Sequence, residues 1–319
     1  MFMVGMIGTG IIAGCHISAI DALEDFSLSA IAEINEEKAK EVSEKCGVPY
    51  YLDYREMCEK EDIDMVIINL PHFLHCEASC FCLEKGIHVL CEKPMANTAE
   101  ECDKMMAAAK RGNAKLGIGH IQRFGKANIV IKEFVENGKL GKLCQVNEVR
   151  NEPYFLPRRP RWFLQKKLSG GGIVMNFGAH ALDKISYIVG NNFADINAIC
   201  GNFLTEDDVE GHAQIFLSAN GIPCSITFNG YDTYNSNDTT FIFTKGALRV
   251  NGIANLEICD EPGGKFRPYE FDKQYPEPFT YQLSEFGKMI RGEESLTPDG
   301  EYGKKVVAAI EEIYSKGIR

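Results

Sequence analysis

Residues 3 to 14 read MVGMIGTGIIAG, an apolar run too short to span a membrane that breaks at Gly8-Thr9-Gly10 and resumes with helical periodicity from Ile11 to Ile20. This is the pattern of a strand, a glycine turn and a helix. Gly8 and Gly10 can take backbone angles that a side chain forbids, and they let the N–H groups of Thr9, Ile11 and Ile12 approach a pyrophosphate on the helix N-terminus. Ala13 stands where the Gly-x-Gly-x-x-Gly pattern has its third glycine and is still small enough for the helix to pack on its strand. Alone the pattern is weak, because a glycine turn between any strand and helix looks the same.

The next apolar run, Leu28 to Glu33, ends in a carboxylate 25 residues beyond Gly8. That is close to where a dinucleotide fold keeps the acid that hydrogen-bonds a ribose 2′-hydroxyl. The same charge repels a 2′-phosphate, so NAD is expected and NADP is the lesser alternative. A second reading stays open, in which Glu33 only caps a helix running from Asn35 to Lys45.

The alternation continues to about residue 120. Tyr50 to Leu52, Asp64 to Leu70, Ile87 to Cys91 and Lys115 to Gly119 read as strands, with helices over Phe73 to Lys85 and Thr98 to Arg111. Strands spaced by helices mean a parallel sheet covered on both faces, and ligands of such sheets lie beyond the carboxyl ends of the strands. Three motifs fall at such ends: Asn69-Leu70-Pro71-His72-x-x-His75, Glu92-Lys93-Pro94, and Gly119-His120-x-Gln122-Arg123. A lysine between an acid and a proline is an odd choice for a core. The Lys-Pro peptide holds the backbone extended or turned, which can aim the ammonium into a crevice.

Beyond Arg123 the character changes. A helix to about Gly138 is followed by strands with clear two-residue alternation: Cys144 to Asn151, Asp195 to Gly201, Gly211 to Ser218, Pro223 to Asn229, Thr239 to Thr244 and Ala247 to Val250. They predict a largely antiparallel sheet with hairpin turns at Ser218–Gly221 and Thr244–Gly246. Between the first two strands lies GGGIVMNFGAHALD, Gly170 to Asp183. Three glycines and then helical periodicity place Asn176, His180 and Asp183 on one helix face. The chain closes with helices from Tyr281 to Arg291 and Glu301 to Lys316. The fold class is therefore α/β: a doubly wound parallel sheet over residues 1–121, then a second α/β domain with a large open sheet over 122–319, whose last helix is free to pack back on the first.

At 319 residues the chain exceeds what one hydrophobic core supports, so two domains are the default. A net charge of -11 argues against nucleic acid and anionic membrane surfaces as partners. No run approaches the ~18 apolar residues of a membrane helix, and the N-terminus enters its first strand directly, which points to the cytoplasm. The 12 cysteines agree, being scattered through apolar segments with no Cys-x-x-Cys. His72, His75, Cys76, Cys80 and Cys82 invite a metal reading, but a buried helix face explains the cysteines and no metal is expected.

Four elements now occur in order: Gly8-x-Gly10-x-x-Ala13, Pro71-x-x-x-His75, Glu92-Lys93-Pro94, and Gly170-Gly171-Gly172 with Gly178-x-His180-x-x-Asp183. As a set the chain resembles the glucose–fructose oxidoreductase/inositol dehydrogenase (Gfo/Idh/MocA) family over nearly its whole length. The resemblance implies a Rossmann domain that binds NAD, a second domain whose open sheet commonly makes a dimer or tetramer contact, and reversible oxidation of a secondary alcohol on a sugar, cyclitol or sugar acid lying between the nicotinamide and the second domain. It implies Lys93 as the catalytic lysine and His180 as the acid/base. For the cofactor it implies Gly8 to Ile12, Glu33, Asn69, Leu70, Pro71, His72, His75, Glu92, Lys93, Arg123 and Trp162. For the substrate it implies Lys93, His120, Arg161, Asn176 and His180. Asn176 stands where many members carry Asp.

The chemistry suits these residues. Hydride leaves a carbinol carbon as the hydroxyl proton departs, and an imidazole with an ordinary pKa of about 6.5 can accept that proton. The Lys93 ammonium would stabilise the developing alkoxide, with Glu92 helping to place it. Asn176 can orient His180 but cannot stabilise its imidazolium as a carboxylate would. Arg150, Arg158, Arg159, Arg161, Lys166 and Lys167 crowd around Trp162 in an otherwise acidic chain. They suit an anionic sugar, or simply a solvated loop or subunit contact. Two rival functions stay open: a glycosidase that retains NAD and acts by transient oxidation and elimination, and a non-catalytic nucleotide-binding regulator.

Overall fold

The computed structural model describes residues 1–204 and 208–317, which divide into two compact units. The first comprises Met1–Ile121 and Pro276–Lys304, the second Gln122–Tyr275 and Lys305–Arg319.

The first unit is built on β1 (Phe2–Ile7), β2 (Phe26–Ala32), β3 (Tyr50–Tyr51), β4 (Met65–Ile68), β5 (His88–Glu92) and β6 (Leu116–Gly119). They form an all-parallel sheet in the order β3-β2-β1-β4-β5-β6. The order reverses between β1 and β4, so the crevice at the carboxyl ends of those strands is the topological switch point. The connections carry α1 (Ala13–Asp21), α2 (Glu36–Cys46), α3 (Tyr54–Lys60), α4 (His72–Glu84) and α5 (Ala99–Gly112). The sequence reading missed α3, whose seven residues are too few for a helical period. Capping shows why it forms: the Asp53 side chain accepts the Arg55 N–H. All four residues of β4 are buried, as a strand covered on both faces requires.

The second unit contains α6 (Lys126–Asn137), β7 (Leu143–Asn151), the single turn α7 (Lys166–Ser169), α8 (Ala179–Val189), and then β8 (Phe193–Gly201), β9 (His212–Ala219), β10 (Ile222–Asn229), β11 (Ser236–Phe243), β12 (Gly246–Asn251), β13 (Asn255–Cys259) and β14 (Arg267–Pro268). Its eight strands run in the order β14-β13-β12-β11-β7-β10-β9-β8. Only the β7–β10 pair is parallel. Asn220 and Gly221 both have positive φ, +47° and +78°, the conformation a two-residue hairpin loop needs, and they join β9 to β10. β13 and β14 were not anticipated, because Asn255–Cys259 is short and sits among glycines and charges.

Two helices complete the chain, α9 (Pro278–Arg291) and α10 (Gly300–Gly317). Residues 122–319 do not form a single body, since α9 belongs to the first unit. Its Leu283 and Phe286 are fully buried in the cluster formed by Val4, Ala19, Ile20, Phe26 and Ile31, so the apolar stripe of α9 finishes the core of the parallel sheet. Among the described residues no helix is long and apolar enough to cross a membrane.

Candidate active site

Within the first unit the switch-point crevice is framed by Gly8–Gly10, Glu33, Asn69–Pro71 and Glu92–Lys93. The two turn glycines have different reasons to be glycine. Gly8 has φ +85°, and a Cβ there would lie 2.9 Å from the Asn69 carbonyl oxygen, so the turn needs glycine to close against the loop after β4. Gly10 has no positive φ, so it does not use the freedom that glycine allows, and a Cβ there would meet nothing within 4 Å. Its missing side chain leaves the backbone approachable from outside. The N-terminus of α1 has no side-chain cap and no acid in its first turn; the Ala13 and Cys15 N–H groups donate to the Gly10 and Ile12 carbonyls, and the positive dipole end is left uncompensated and open to an anion. Both features fit the diphosphate of a dinucleotide.

Glu33 holds the turn. Its Oε2 accepts the Thr9 N–H at 3.1 Å and the Thr9 hydroxyl at 2.8 Å, and its Oε1 accepts the Asn35 N–H at 3.1 Å. Burial pushes its carboxyl up, but those donors together with the Lys38 ammonium outweigh it and hold the pKa below the ordinary value. The cap of α2 is Asn35, whose side chain accepts the Lys38 N–H. Glu33 thus braces the glycine turn from the tip of β2.

His75 is the buried bridge between two of the motifs. Its ring has no exposed surface, and its Nδ1 and Nε2 each lie 2.8 Å from a main-chain oxygen, of Pro94 and Leu70 respectively. Burial lowers its pKa against the pull of both carbonyls. His75 thus ties the loop after β4 to the loop after β5, and so sets where Lys93 leaves the sheet. His72 is buried beside it, with ring centroids 5.8 Å apart. Among the described residues no three His, Cys, Asp or Glu side chains are grouped to hold a metal ion.

Glu92 and Lys93 follow β5, and the Lys93–Pro94 peptide is cis. Glu92 accepts the Lys93 N–H at 3.1 Å, and His16 on α1 lies 3.0 Å from its other oxygen through Nε2. Burial raises the Glu92 pKa, but the His16 contact and the Lys93 charge and N–H bring it below the ordinary value. His16 is 1% exposed, lies edge-on to Phe279 and turns an unpartnered Nδ1 into the interior. The sequence reading passed over it, although a lone imidazole in a helix of otherwise small and apolar residues was a signal. His120 is fully buried, edge-on to Tyr302.

In the second unit the segment expected to be one regular helix begins differently. Val174–Gly178 is a π-helical turn, and α8 starts only at Ala179. The wider turn holds Asn176 and ends before His180, so it breaks the regular α-helical spacing between those two, while His180 and Asp183 keep the i, i+3 spacing of α8; Asn176 and His180 are part-exposed and Asp183 is fully buried. Asp183 accepts the Arg123 Nε–H at 3.2 Å and a second bond from the same guanidinium, which also lies 5.3 Å above the Tyr187 ring. Arg123 is 6% exposed. One residue on, Lys184 is buried on Glu148 at 3.0 Å and Thr239 at 2.6 Å. Two adjacent buried ion pairs therefore fix the rotation of α8 on its sheet.

The head of this segment is held by Glu210, a residue the sequence reading missed. Its carboxylate accepts the N–H groups of Gly172 at 2.8 Å and Val174 at 2.8 Å and the Tyr314 hydroxyl at 2.8 Å, and the Tyr314 oxygen accepts the Met175 N–H at 3.0 Å. A Cβ at Gly171 would fall 1.8 Å from the Tyr314 oxygen, and one at Gly172 would fall 2.2 Å from the Glu210 carbonyl oxygen. The glycine run exists because this lock comes so close. Glu210 stands between Val209 and Gly211 in a polar connection, where no local pattern marks it.

The basic loop is partly spent on the fold. Arg150 pairs with Glu152 at 2.7 Å and stacks on Phe177; Arg159 donates to the Tyr154 carbonyl and stacks on Tyr154 and Phe163. Trp162 is stacked on Phe163, centroids 3.7 Å apart. Arg158, Arg161, Lys166 and Lys167 remain exposed.

Comparison with known proteins agrees with this architecture. Residues 2–120 match the model of the GFO/IDH/MocA oxidoreductase family with an NAD-binding Rossmann fold, and residues 129–249 match that family's C-terminal domain. Myo-inositol 2-dehydrogenase of Thermotoga maritima is 26% identical over 94% of this chain and 92% of its own. A 1-carboxy-3-chloro-3,4-dihydroxycyclohexa-1,5-diene dehydrogenase of Comamonas testosteroni is 30% identical over 58% of this chain, a match spanning about half (47%) of that protein. An aldose-aldose oxidoreductase from Caulobacter crescentus, solved with glycerol, superposes with a TM-score of 0.89 at 26% identity, over 99% of this chain and 97% of that one.

Proposed function

The chain belongs to the GFO/IDH/MocA oxidoreductase family, and on that premise we propose that it reversibly oxidises a secondary alcohol of a sugar, cyclitol or sugar acid, with NAD as hydride acceptor. The observation that carries this reading is the crevice of the first unit, where one sheet end gathers an approachable Gly10, an uncapped helix, the Glu33 carboxylate and Lys93. The turn from Gly8 to Ile12, with the Gly8 and Thr9 N–H groups spent on Ala32 and Glu33, would hold the diphosphate through Gly10 to Ile12, and Glu33 would offer its carboxylate to a ribose hydroxyl, which favours NAD over NADP. Asn69, Leu70, Pro71 and His72 lie on the next loop and line the same cofactor. Glu92 steers Lys93, and Trp162 belongs to the cofactor or sugar side.

NAD, when bound, supplies the electrophilic ring that takes the hydride. The chain's own residues handle the proton and the charge. His180 takes the hydroxyl proton as hydride departs, Lys93 stabilises the alkoxide, and Asn176 orients the alcohol or the imidazole. Arg161, with its exposed neighbours Arg158, Lys166 and Lys167, favours a sugar bearing a carboxylate or phosphate. His120 supports the sugar side through its packing on Tyr302.

We further place the protein in the cytoplasm as a homo-oligomer. All twelve cysteines are free thiols, which suits a reducing compartment. Val149, Ile199 and Phe216 put apolar surface on one face of the large sheet, which suits a subunit contact.

The test is a release assay followed by a turnover screen. Nucleotide freed by unfolding is identified, and stripped protein is then supplied with NAD and a panel of sugars, uronates and cyclitols while NADH absorbance is followed. NADH formation that depends on one sugar class and is lost in Lys93→Ala and His180→Ala is expected. Tightly held NAD with glycoside cleavage and no net NADH would replace this reading by the glycosidase one.

A further inference from the structure

Glu210 and Tyr314 are far apart in sequence, yet both meet at the head of the segment that carries Asn176 and His180. Three main-chain N–H groups there, of Gly172, Val174 and Met175, have no acceptor among neighbouring side chains in sequence. They are satisfied by a carboxylate and a phenol delivered from 36 to 139 residues away. Helix starts are ordinarily capped by a side chain of the preceding residue or two, and this one has none. The cap also grips the first two residues of a π turn, Val174 and Met175, where one extra residue must be accommodated and from which Asn176 and then the first turn of α8, with His180, take their direction.

We propose that Glu210 and Tyr314 are positioning residues for His180: a carboxylate–phenol lock that fixes the depth and rotation of the π turn and so the direction in which His180 and Asn176 project. The proposal rests on the assignment of His180 as acid/base. The geometry supports positioning over mere stability in three ways. The lock grips the residues just ahead of Asn176, not a remote part of the helix. It is tight enough to exclude any side chain at Gly171 and Gly172. The rest of α8 is already anchored without it, by Asp183–Arg123 and Lys184–Glu148. His180 lies in the first turn of α8, between the π turn and these two anchors, so loosening the head releases Asn176 and that first turn while the helix from Asp183 onward stays in place.

The experiment uses the full-length protein and the variants Tyr314→Phe and Glu210→Gln. The first removes one oxygen and keeps the ring; the second keeps the shape and replaces one acceptor oxygen by an amide. In imidazole nitrogen–proton correlation spectra, with the His180 signal assigned by His180→Gln, both variants are expected to shift or broaden that signal while those of His16, His75 and His88 hold still. In turnover, Tyr314→Phe is expected to lower kcat about tenfold to hundredfold with NAD affinity unchanged. The same change in a His180→Ala background is expected to cost less than about twofold, because nothing is left to position. An unmoved His180 signal in both variants overturns the proposal, and so does an equal loss of kcat on the two backgrounds. If the unaltered protein oxidises no polyol, the dehydrogenase reading falls, and the His180 signal still decides whether the lock holds that ring.

Discussion

Replacing each turn glycine by alanine separates the two reasons for glycine at the start of the chain. At Gly8 the methyl group meets a φ of +85° and a carbonyl oxygen 2.9 Å away. A side chain in the left-handed region costs about 1–2 kcal/mol, and forcing an atom into a packed contact costs about 1–3 kcal/mol more. Gly8→Ala should therefore lose roughly 2–5 kcal/mol of stability before any cofactor is added. At Gly10 the methyl group meets nothing within 4 Å. Cofactor-free Gly10→Ala should thus stay within about 0.5 kcal/mol of the parent, or gain slightly from a less flexible unfolded chain. Its cost appears only when NAD arrives and finds a methyl group where main chain should touch a phosphate. At least a tenfold loss of affinity, about 1.4 kcal/mol, is expected. Urea unfolding of the stripped proteins and calorimetric titration with NAD measure the two effects separately. A Gly8→Ala protein as stable as its parent, or a Gly10→Ala protein that binds NAD undiminished, would refute the division.

Other consequences follow from buried charge. Lys184→Met leaves the Glu148 carboxylate buried with only Thr239 as donor, and a loss of about 3–5 kcal/mol is expected in unfolding experiments. Adding Glu148→Leu should recover much of it, because the uncompensated charge is then gone. Glu33 has a folded pKa below its ordinary value, so its stabilising effect is present above about pH 4.3 and fades as pH falls through the folded value. Glu33→Gln should accordingly be less stable than the parent at neutral pH, with the two unfolding midpoints converging in acid; a gap that does not narrow as the pH falls would contradict this. If the open face of the large sheet is a subunit contact, Phe216→Asp should lower the mass seen by light scattering without altering the unfolding of the monomer.

The parallel sheet was legible from residue 1 to 120 because its strands are buried on both faces and its helices are long enough to show a period. The antiparallel strands were legible for a related reason, two-residue alternation with asparagine and glycine at the turns. What failed locally was short: α3, β13 and β14 hold too few residues to display a period. The family pattern picked out Lys93, His75 and His180 but could not assign their partners. His75 looked like a ligand-facing imidazole and is a bridge between two main-chain carbonyls. That Arg123 is bound to Asp183 could not be read from the sequence, because the two residues lie 60 positions apart.

By itself, then, the sequence determined the fold class, the glycine turn, the family and the residue types that hydride transfer needs. These depend on local period, on backbone freedom and on ordered motifs, all of which are written along one dimension. Tertiary structure alone decided that Gly10 is open while Gly8 is crowded, that α9 joins the first unit, that a π turn separates Asn176 from His180 and Asp183, and that Glu210 and Tyr314 close the head of that turn. Each of these depends on which distant groups meet in space. Burial and hydrogen bonding between residues 36 to 139 positions apart leave no periodic trace in the chain.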